Sequence, residues 1–120
     1  MYQQDWLMRQ IAVFAQAIAR VIFGKQTPVY EVRDDLNREH SDAIHQELTA
    51  MLREGRVNDA ENLLFDSVNV NDINDLCVAL DFYDRLNKWN NDDLEEHGFS
   101  REEIQEGLDE IMELFGASIW

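Results

Sequence analysis

The chain has 120 residues, of which 25 are acidic and 10 basic, and its net charge is −15. This length fits one domain whose core is large enough to fold without disulfides or metal ions, and the single cysteine excludes an internal disulfide and indicates a reducing, cytoplasmic compartment. The negative charge excludes nucleic-acid binding, because a nucleic-acid binder needs a basic stripe that displaces counterions from the phosphates.

The charge is unevenly distributed along the chain. Residues 1–25 contain one acid and three bases and carry +2, whereas residues 26–120 carry −17. We therefore expect one helical domain, residues 1–120, made of an apolar N-terminal helix and an acidic helical body. The apolar stretch Ile11–Phe23 is shorter than the ~20 residues of a membrane span, and no signal-peptide cleavage motif follows it, so a membrane location is not expected.

The first predicted helix extends from Gln3 to Phe23 and ends at Gly24, since glycine favours helix C-termini. Its apolar residues cover a broad face, and a helix this apolar has to be covered over most of its circumference. Either the later helices wrap it or a second copy of the chain does, and we expect a homodimer. The candidate interface residues are Trp6, Ile11, Phe14, Ile18 and Ile22.

The second predicted helix begins with Thr27 as its N-cap and Pro28 at the first helical position. It extends to about Glu54, and Gly55 ends it. Ser41 could act as a local N-cap, so a break in the middle of this segment stays open.

The third predicted helix extends from Val57 to about Val68. It is expected to return along the second helix in a tight hairpin, with Ala60 facing the partner helix. A polar connection follows, in which Asn71 or Asp72 caps a fourth helix that runs to about Trp89. Two apolar stripes on the fourth helix predict that it is buried on two sides.

Asn90 and Asn91 interrupt the pattern, and the segment Asp92–His97 is expected to form one further turn. Ser100 and Glu103 then form a capping-box motif ahead of the last helix. Gly107 lies inside this helix, where glycine costs about 1 kcal/mol relative to alanine, and close packing would account for it. Gly116 is expected to end the helix, and the apolar tail after it to dock onto the body. No stretch alternates with a period of two, so the predicted fold is all-α, with about five helices in antiparallel pairs.

The residue types that most often carry chemistry do not form a catalytic or metal-binding pattern. His40 and His45 are five residues apart, which places them on different helix faces, whereas a helical zinc pair is spaced by four. The Asp- and Asn-rich stretch 69–75 lacks the glycine of a calcium loop. Cys77 lies on an apolar stripe, as a buried and inert thiol would. We therefore expect no enzymatic activity, no metal and no cofactor.

The opening of the chain resembles a known family. Residues 2–11 (YQQDWLMRQI), followed by residues 19–25 (ARVIFGK), are similar to the start of a family of small uncharacterised proteins from Gram-positive bacteria. The resemblance is specific over residues 2–25. It implies a cytoplasmic helical protein without an assigned activity, so it transfers no catalytic residue to this chain.

A second resemblance covers residues 44–68. The pattern G-x-V-x-x-A-x-x-x-L, which begins at Gly55, is similar to the second helix of a tetratricopeptide repeat, where a small residue lets two helices approach. The chain departs from that repeat at Glu47-Leu48, where the repeat has Leu-Gly, and at Asp72, where it has proline. No second copy follows at a 34-residue period, so the resemblance implies one tetratricopeptide-like helical hairpin and not a peptide-binding array.

These observations favour a non-enzymatic, cytoplasmic protein-interaction or scaffold module. The expected partner is a second copy of the chain, and another protein is a further candidate. Two alternatives stay open. One is a peripheral membrane-surface protein anchored by the N-terminal helix with Arg9, Arg20 and Lys25, although anionic lipid would repel the acidic body. The other is a small metal- or ligand-binding protein.

Overall fold

The structure is a computed structural model that describes the backbone of residues 2–24, 28–31 and 38–119 and the side chains of residues 5–24, 28–31 and 38–116. Its elements are α1 (Tyr2–Ile18), α2 (Glu39–Arg53), α3 (Val57–Ser67), α4 (Ile73–Asn87), α5 (Asn91–Glu96) and α6 (Arg101–Ile119), with a π-helical turn, Ala19–Phe23, that continues α1. No strand occurs among these described residues, and the all-α prediction is confirmed.

The first helical segment has the predicted length. Together, α1 and the π-helical turn end at Gly24, which adopts φ +66° and donates its N–H to the carbonyls of Ala19 and Arg20. Glycine adopts this left-handed conformation without strain. The π-helical turn is not foreseen from the sequence. Because its hydrogen bonds span one more residue than those of an α-helix, it rotates the last side chains relative to the α1 wheel.

The second helix begins later than predicted. Pro28 is buried but not helical, and α2 starts only at Glu39. Thr27, the predicted N-cap, lies outside the described residues. The backbone N–H of Tyr30 donates a 2.8 Å hydrogen bond to the Asp81 carboxylate of α4, so this segment bonds across the fold instead of along a helix.

Ser41 is not an N-cap. It lies in the first turn of α2 and is fully buried. Its hydroxyl donates a hydrogen bond to the buried carboxylate of Asp75 on α4. The Ser41 hydroxyl thus has a tertiary partner instead of the local capping role that the sequence suggests. The break left open in the middle of the predicted segment does occur, three residues before Ser41, because Arg38 is not helical and α2 begins at Glu39.

The predicted pairing of α2 with α3 is confirmed. The two helices pack on each other across a short turn in which Gly55 has φ +77°. A Cβ atom at Gly55 would lie 2.6 Å from Cδ2 of His97, so this turn requires glycine for its backbone angle and for its close contact. Ala60 is fully buried, as expected for the small residue of a close hairpin.

The fourth helix is central and contacts α1, α2 and α6. Asp72 caps it, since its carboxylate accepts the Asn74 N–H at 3.0 Å, which confirms one of the two predicted caps. The helix is buried on both sides, as predicted. Its buried apolar residues are Leu76, Cys77, Val78, Ala79, Leu80, Phe82, Tyr83 and Leu86.

The last helix begins as predicted but ends later. The Glu103 N–H donates to Ser100 Oγ at 3.2 Å, which is the expected capping contact. The prediction that Gly116 ends the helix is wrong, because α6 continues to Ile119. A glycine lowers helix stability by about 1 kcal/mol without forcing an end, and the neighbouring Phe115 anchors this turn in the core. The predicted docking of the tail lies outside the described side chains.

Candidate interaction surface

An apolar surface runs along the line where α1 lies beside α6. A groove of about 1070 Å³ opens between Phe14, Val21 and Ile22 on one side and Met112 on the other. A neighbouring groove of about 610 Å³ continues it past Val13. We define these two grooves and their rims as the α1–α6 surface. Most of the side chains that line the larger groove are apolar.

The five interface residues predicted from the sequence separate into two groups. Ile11 is 0% exposed and belongs to the core of the single chain, whereas Ile18, at 7% exposure, belongs to the core and also lines the larger groove. Trp6 is 61% exposed. Phe14 and Ile22 are half-buried and line the larger groove. Helix periodicity identifies the apolar face, but it cannot say which part of that face the other helices cover.

The exposed part of this face includes residues that the sequence analysis did not single out as interface residues. Val13 is 65% exposed and Val21, within the π-helical turn, is 82% exposed. Seven residues separate Trp6 from Val13, so both lie on one side of α1. These two side chains extend the exposed apolar surface of this helical segment beyond the five residues predicted from the sequence.

The segment Asp5–Phe23 is also long and apolar enough, by length and composition alone, to cross a membrane. This corrects the expectation based on the shorter stretch Ile11–Phe23. The core helices of soluble proteins and signal sequences meet the same criterion, but here only 22% of the apolar window is buried. The low burial of this helix agrees with the exposure of its outer stripe.

The α6 rim of the α1–α6 surface is acidic. Asp109 and Glu113, four residues apart on α6, border the larger groove. Arg9 on α1 and Arg20 in the π-helical turn are both exposed, but neither lines the two grooves. The surface thus has an apolar centre and an acidic rim on α6.

A second concavity, the α2–α4 cleft, has a volume of about 540 Å³. Its apolar part consists of Val29, Leu52 and Trp89. Its charged part consists of Arg53, Arg85, Lys88, Asp81 and Asp84. The sequence analysis did not identify this cleft, although the i,i+4 spacing of Asp81 with Arg85 and of Asp84 with Lys88 is a recognisable signal for paired charges on one helix face.

The buried carboxylate of Asp81 organises one end of the cleft. It is 3% exposed and accepts hydrogen bonds from the Tyr30 N–H at 2.8 Å and from Nε of Arg85 at 2.5 Å. His45 Nδ1 lies 3.7 Å from the same carboxylate, and its ring contacts the Tyr30 ring at a tilted angle of 41° with a centroid distance of 4.9 Å. Burial lowers the pKa of His45, and the Asp81 charge only partly opposes this.

His40, Asp72 and Asp75 bring ligand atoms within 4.8 Å of one another at the N-terminal ends of α2 and α4. His40 Nδ1 lies 3.1 Å from the Asp75 carboxylate. These are the described side chains that a metal could use, but each has a structural role. Asp72 caps α4, and Asp75 also accepts from the Asn69 N–H at 2.8 Å. The cluster therefore serves to join two helix ends.

Arg101 is a buried cation that joins three elements. It is 2% exposed, and its terminal nitrogens donate to the backbone carbonyls of Asn87 at 2.6 Å and Trp89 at 2.8 Å and to the Asn91 side chain. The Asn87 amide in turn donates to the Met8 carbonyl at 2.9 Å. This guanidinium satisfies carbonyls at the C-terminal end of α4, where a positive charge is favoured.

Cys77 and His97 lie outside these surfaces and clusters. Cys77 is 3% exposed, so its predicted burial is confirmed. His97 follows α5, and its Nδ1 lies 2.8 Å from the Asp93 carbonyl, which can only accept, so Nδ1 carries the proton. This histidine therefore contacts the C-terminal end of α5.

The fold and these surfaces define a small all-α bundle with one extensive apolar surface. The chain belongs to the family described as Family of unknown function (DUF6483), whose model matches residues 1–116. No curated protein and no solved structure matches the chain. The family carries no activity that could be transferred to particular residues.

Proposed function

We propose that this protein is a non-enzymatic, cytoplasmic protein-interaction module that works as a homodimer joined through the α1–α6 surface. The observation that carries the proposal is the exposure of Val13 and Val21 beside the groove between the two helices. Covering such side chains is favourable by roughly 25 cal/mol for each Å² of apolar surface removed from water. The tetratricopeptide-like pairing of α2 with α3 fits the same class of protein.

Charge supports a second copy as the occupant. The chain carries −15, so two copies repel each other over most of their surfaces. Residues 1–25, which include the N-terminal helix, carry +2. A two-fold arrangement that lays α1 of one copy over the groove of the other places Arg9 or Arg20 near Asp109 and Glu113, and it keeps the acidic bodies apart.

Light scattering coupled to size exclusion at micromolar concentration tests the dimer. We expect a mass near twice the 14.1 kDa of one chain. Val13→Glu should reduce this mass without loss of helicity, because Val13 is exposed and outside the core. The matched control is Ile73→Glu, which places the same charge at an apolar residue that is 44% exposed on another helix and should leave the mass unchanged.

Charge reversal tests the arrangement. Arg20→Glu and Glu113→Arg should each weaken the dimer, and the double variant should recover part of the loss if these residues face each other across the two-fold axis. A mass near 14.1 kDa for the natural chain contradicts the homodimer. A monomer that co-sediments with anionic vesicles would support the membrane-surface alternative, which the exposed N-terminal helix also permits.

A further inference from the structure

The exposed bases of the acidic body are concentrated at one place. Residues 39–116 contain five basic side chains, of which Arg101 is buried in the fold. Three of the other four, Arg53, Arg85 and Lys88, line the α2–α4 cleft. Their positions in the last turn of a helix or just after it are favourable for each helix by itself. Helix stabilisation explains each of these bases separately. It does not explain why bases from two different helices line the same cavity.

Arg85 is held in a fixed orientation. Its Nε donates to Asp81 at 2.5 Å, and Asp81 is itself fixed by burial and by the Tyr30 N–H. The two terminal nitrogens of Arg85 have no partner among the described residues. A guanidinium that is held through Nε can donate hydrogen bonds from both terminal nitrogens, Nη1 and Nη2, to two oxygens of one anion.

The acidic residues of the cleft already have partners. Asp81 is paired with Arg85, and Asp84 lies 3.2 Å from Nζ of Lys88. Arg53, at the end of α2, is exposed and has no hydrogen-bond or ion-pair partner among the described residues. The lining residues therefore carry one positive charge in excess, which favours an anionic ligand.

The rest of the cleft is apolar. Leu52 is 9% exposed, and Trp89 is half-buried with its indole ring in edge contact with His97 at 5.4 Å. Val29, from the segment that Asp81 anchors, forms part of the opposite wall. The volume of about 540 Å³ is within the range of small-molecule sites, which combine an apolar lining with a few placed polar groups.

We propose that the α2–α4 cleft binds a small organic anion, a carboxylate or a phosphate monoester that carries a flat apolar group. The anionic oxygens contact the terminal nitrogens of Arg85 and the side chain of Arg53. The flat group lies on Leu52 and Trp89. This site is separate from the α1–α6 surface and does not depend on the oligomeric state.

Fluorine NMR of the protein labelled with 5-fluorotryptophan tests the site, because the chain has three tryptophans and a Trp89→Phe variant assigns the Trp89 signal. The probes are phenylacetate, its neutral analogue phenylacetamide, phenyl phosphate and inorganic phosphate. We expect saturable shifts of the Trp89 signal with phenylacetate or phenyl phosphate, and binding at least tenfold weaker for phenylacetamide. The relative affinities of the two organic anions decide between a carboxylate and a phosphate ligand.

Two substitutions then locate the anion. Arg85→Gln should weaken binding of the better probe about tenfold, as expected for the loss of a charge-assisted hydrogen bond. Because this change leaves Asp81 buried without its partner, Arg53→Gln is the second variant, and it should weaken binding several-fold without disturbing the fold. Arg56→Gln is the matched control, since Arg56 is 50% exposed, is paired with Glu54 and Asp59, and lies outside the cleft lining.

The proposal is overturned if millimolar phenylacetate and phenyl phosphate leave the Trp89 signal unmoved, or if phenylacetamide binds as well as phenylacetate. It is also overturned if Arg53→Gln and Arg56→Gln weaken binding equally, because a general charge effect would then explain the affinity. Weaker binding at higher salt is expected for the wild type and should be less marked in Arg53→Gln.

Discussion

The Tyr83 hydroxyl lies directly against Gly107, where α4 crosses α6. A Cβ atom at Gly107 would collide with the hydroxyl oxygen and with the ring carbon that carries it. The same hydroxyl donates a 2.6 Å hydrogen bond to the half-buried Glu61 of α3. The glycine that weakens the last helix locally is therefore the residue that lets α4 and α6 approach, as the sequence analysis suggested.

Gly107→Ala should destabilise the protein. Alanine favours a helix interior by about 1 kcal/mol over glycine, but overpacking against the fixed Tyr83 ring should cost roughly 1–3 kcal/mol and exceed that gain. Glu106→Ala, one residue earlier and exposed, is the control and should be nearly neutral. Urea unfolding followed by circular dichroism measures both, and a Gly107→Ala variant more stable than the wild type would show that Tyr83 can move away.

Ala60→Leu should loosen the hairpin of α2 and α3. Ala60 is fully buried, so three added carbon atoms have no space and the expected loss is about 1–3 kcal/mol. Asn62→Leu adds a leucine to the exposed side of the same helix and should change stability little. If the two variants have equal denaturation midpoints, the prediction of close packing at Ala60 is wrong.

Arg101→Ala should be among the most destabilising single changes. It removes the donors that satisfy the Asn87 and Trp89 carbonyls and leaves these groups buried, which should cost about 3 kcal/mol. Arg101→Lys should recover only a minor part of the lost stability, because one ammonium group cannot reach all the acceptors that surround the planar guanidinium. Thermal unfolding provides the comparison, and full recovery by lysine would mean that charge alone matters.

Mild acid should act against the folded state through His45. Burial lowers the pKa of this imidazole below its ordinary 6.5. The unfolded chain therefore binds the proton first as the pH falls below 7, and the free energy of unfolding decreases through that range. His45→Gln should remove this decrease. Melting temperatures between pH 7 and pH 5.5 test it, and parallel curves for wild type and variant would exclude the effect.

Glu61 should act in the opposite direction. Burial raises the pKa of its carboxyl above the ordinary 4.5, the Tyr83 hydrogen bond opposes this, and the charges of Glu103, Glu110 and Glu106 add to the rise. The folded state therefore binds this proton first, so stability should increase as the pH falls towards the ordinary glutamate range.

Glu61→Gln should reduce that increase, and added salt should mimic part of it by screening the acidic residues. The increase in stability on acidification should be clearest in the His45→Gln variant, since the opposing protonation of His45 is absent there. A stability that is independent of pH between 6 and 4.5 in this variant would contradict the assignment to Glu61.

Several local features of the fold could be predicted from the sequence. Helix ends depend on nearby residues, so Gly24, Gly55, Asp72 and the Ser100 capping box were recognisable from the sequence. The start of α2 was not, because the Tyr30 N–H bonds to a carboxylate 51 residues away. The cleft around Arg85 was missed for the same reason, since it forms only where α2, α4 and the segment 28–31 meet.

The sequence by itself determined an acidic, all-helical chain whose N-terminal helix is too apolar to be left to solvent. These properties follow from composition and from a 3.6-residue period, which act over a few residues at a time. Only the tertiary structure decided that Ile11 and Ile18 belong to the core while Val13 and Val21 remain exposed. The reason is that burial depends on which neighbouring helices cover a given side of α1, and that arrangement depends on contacts between residues far apart in the chain.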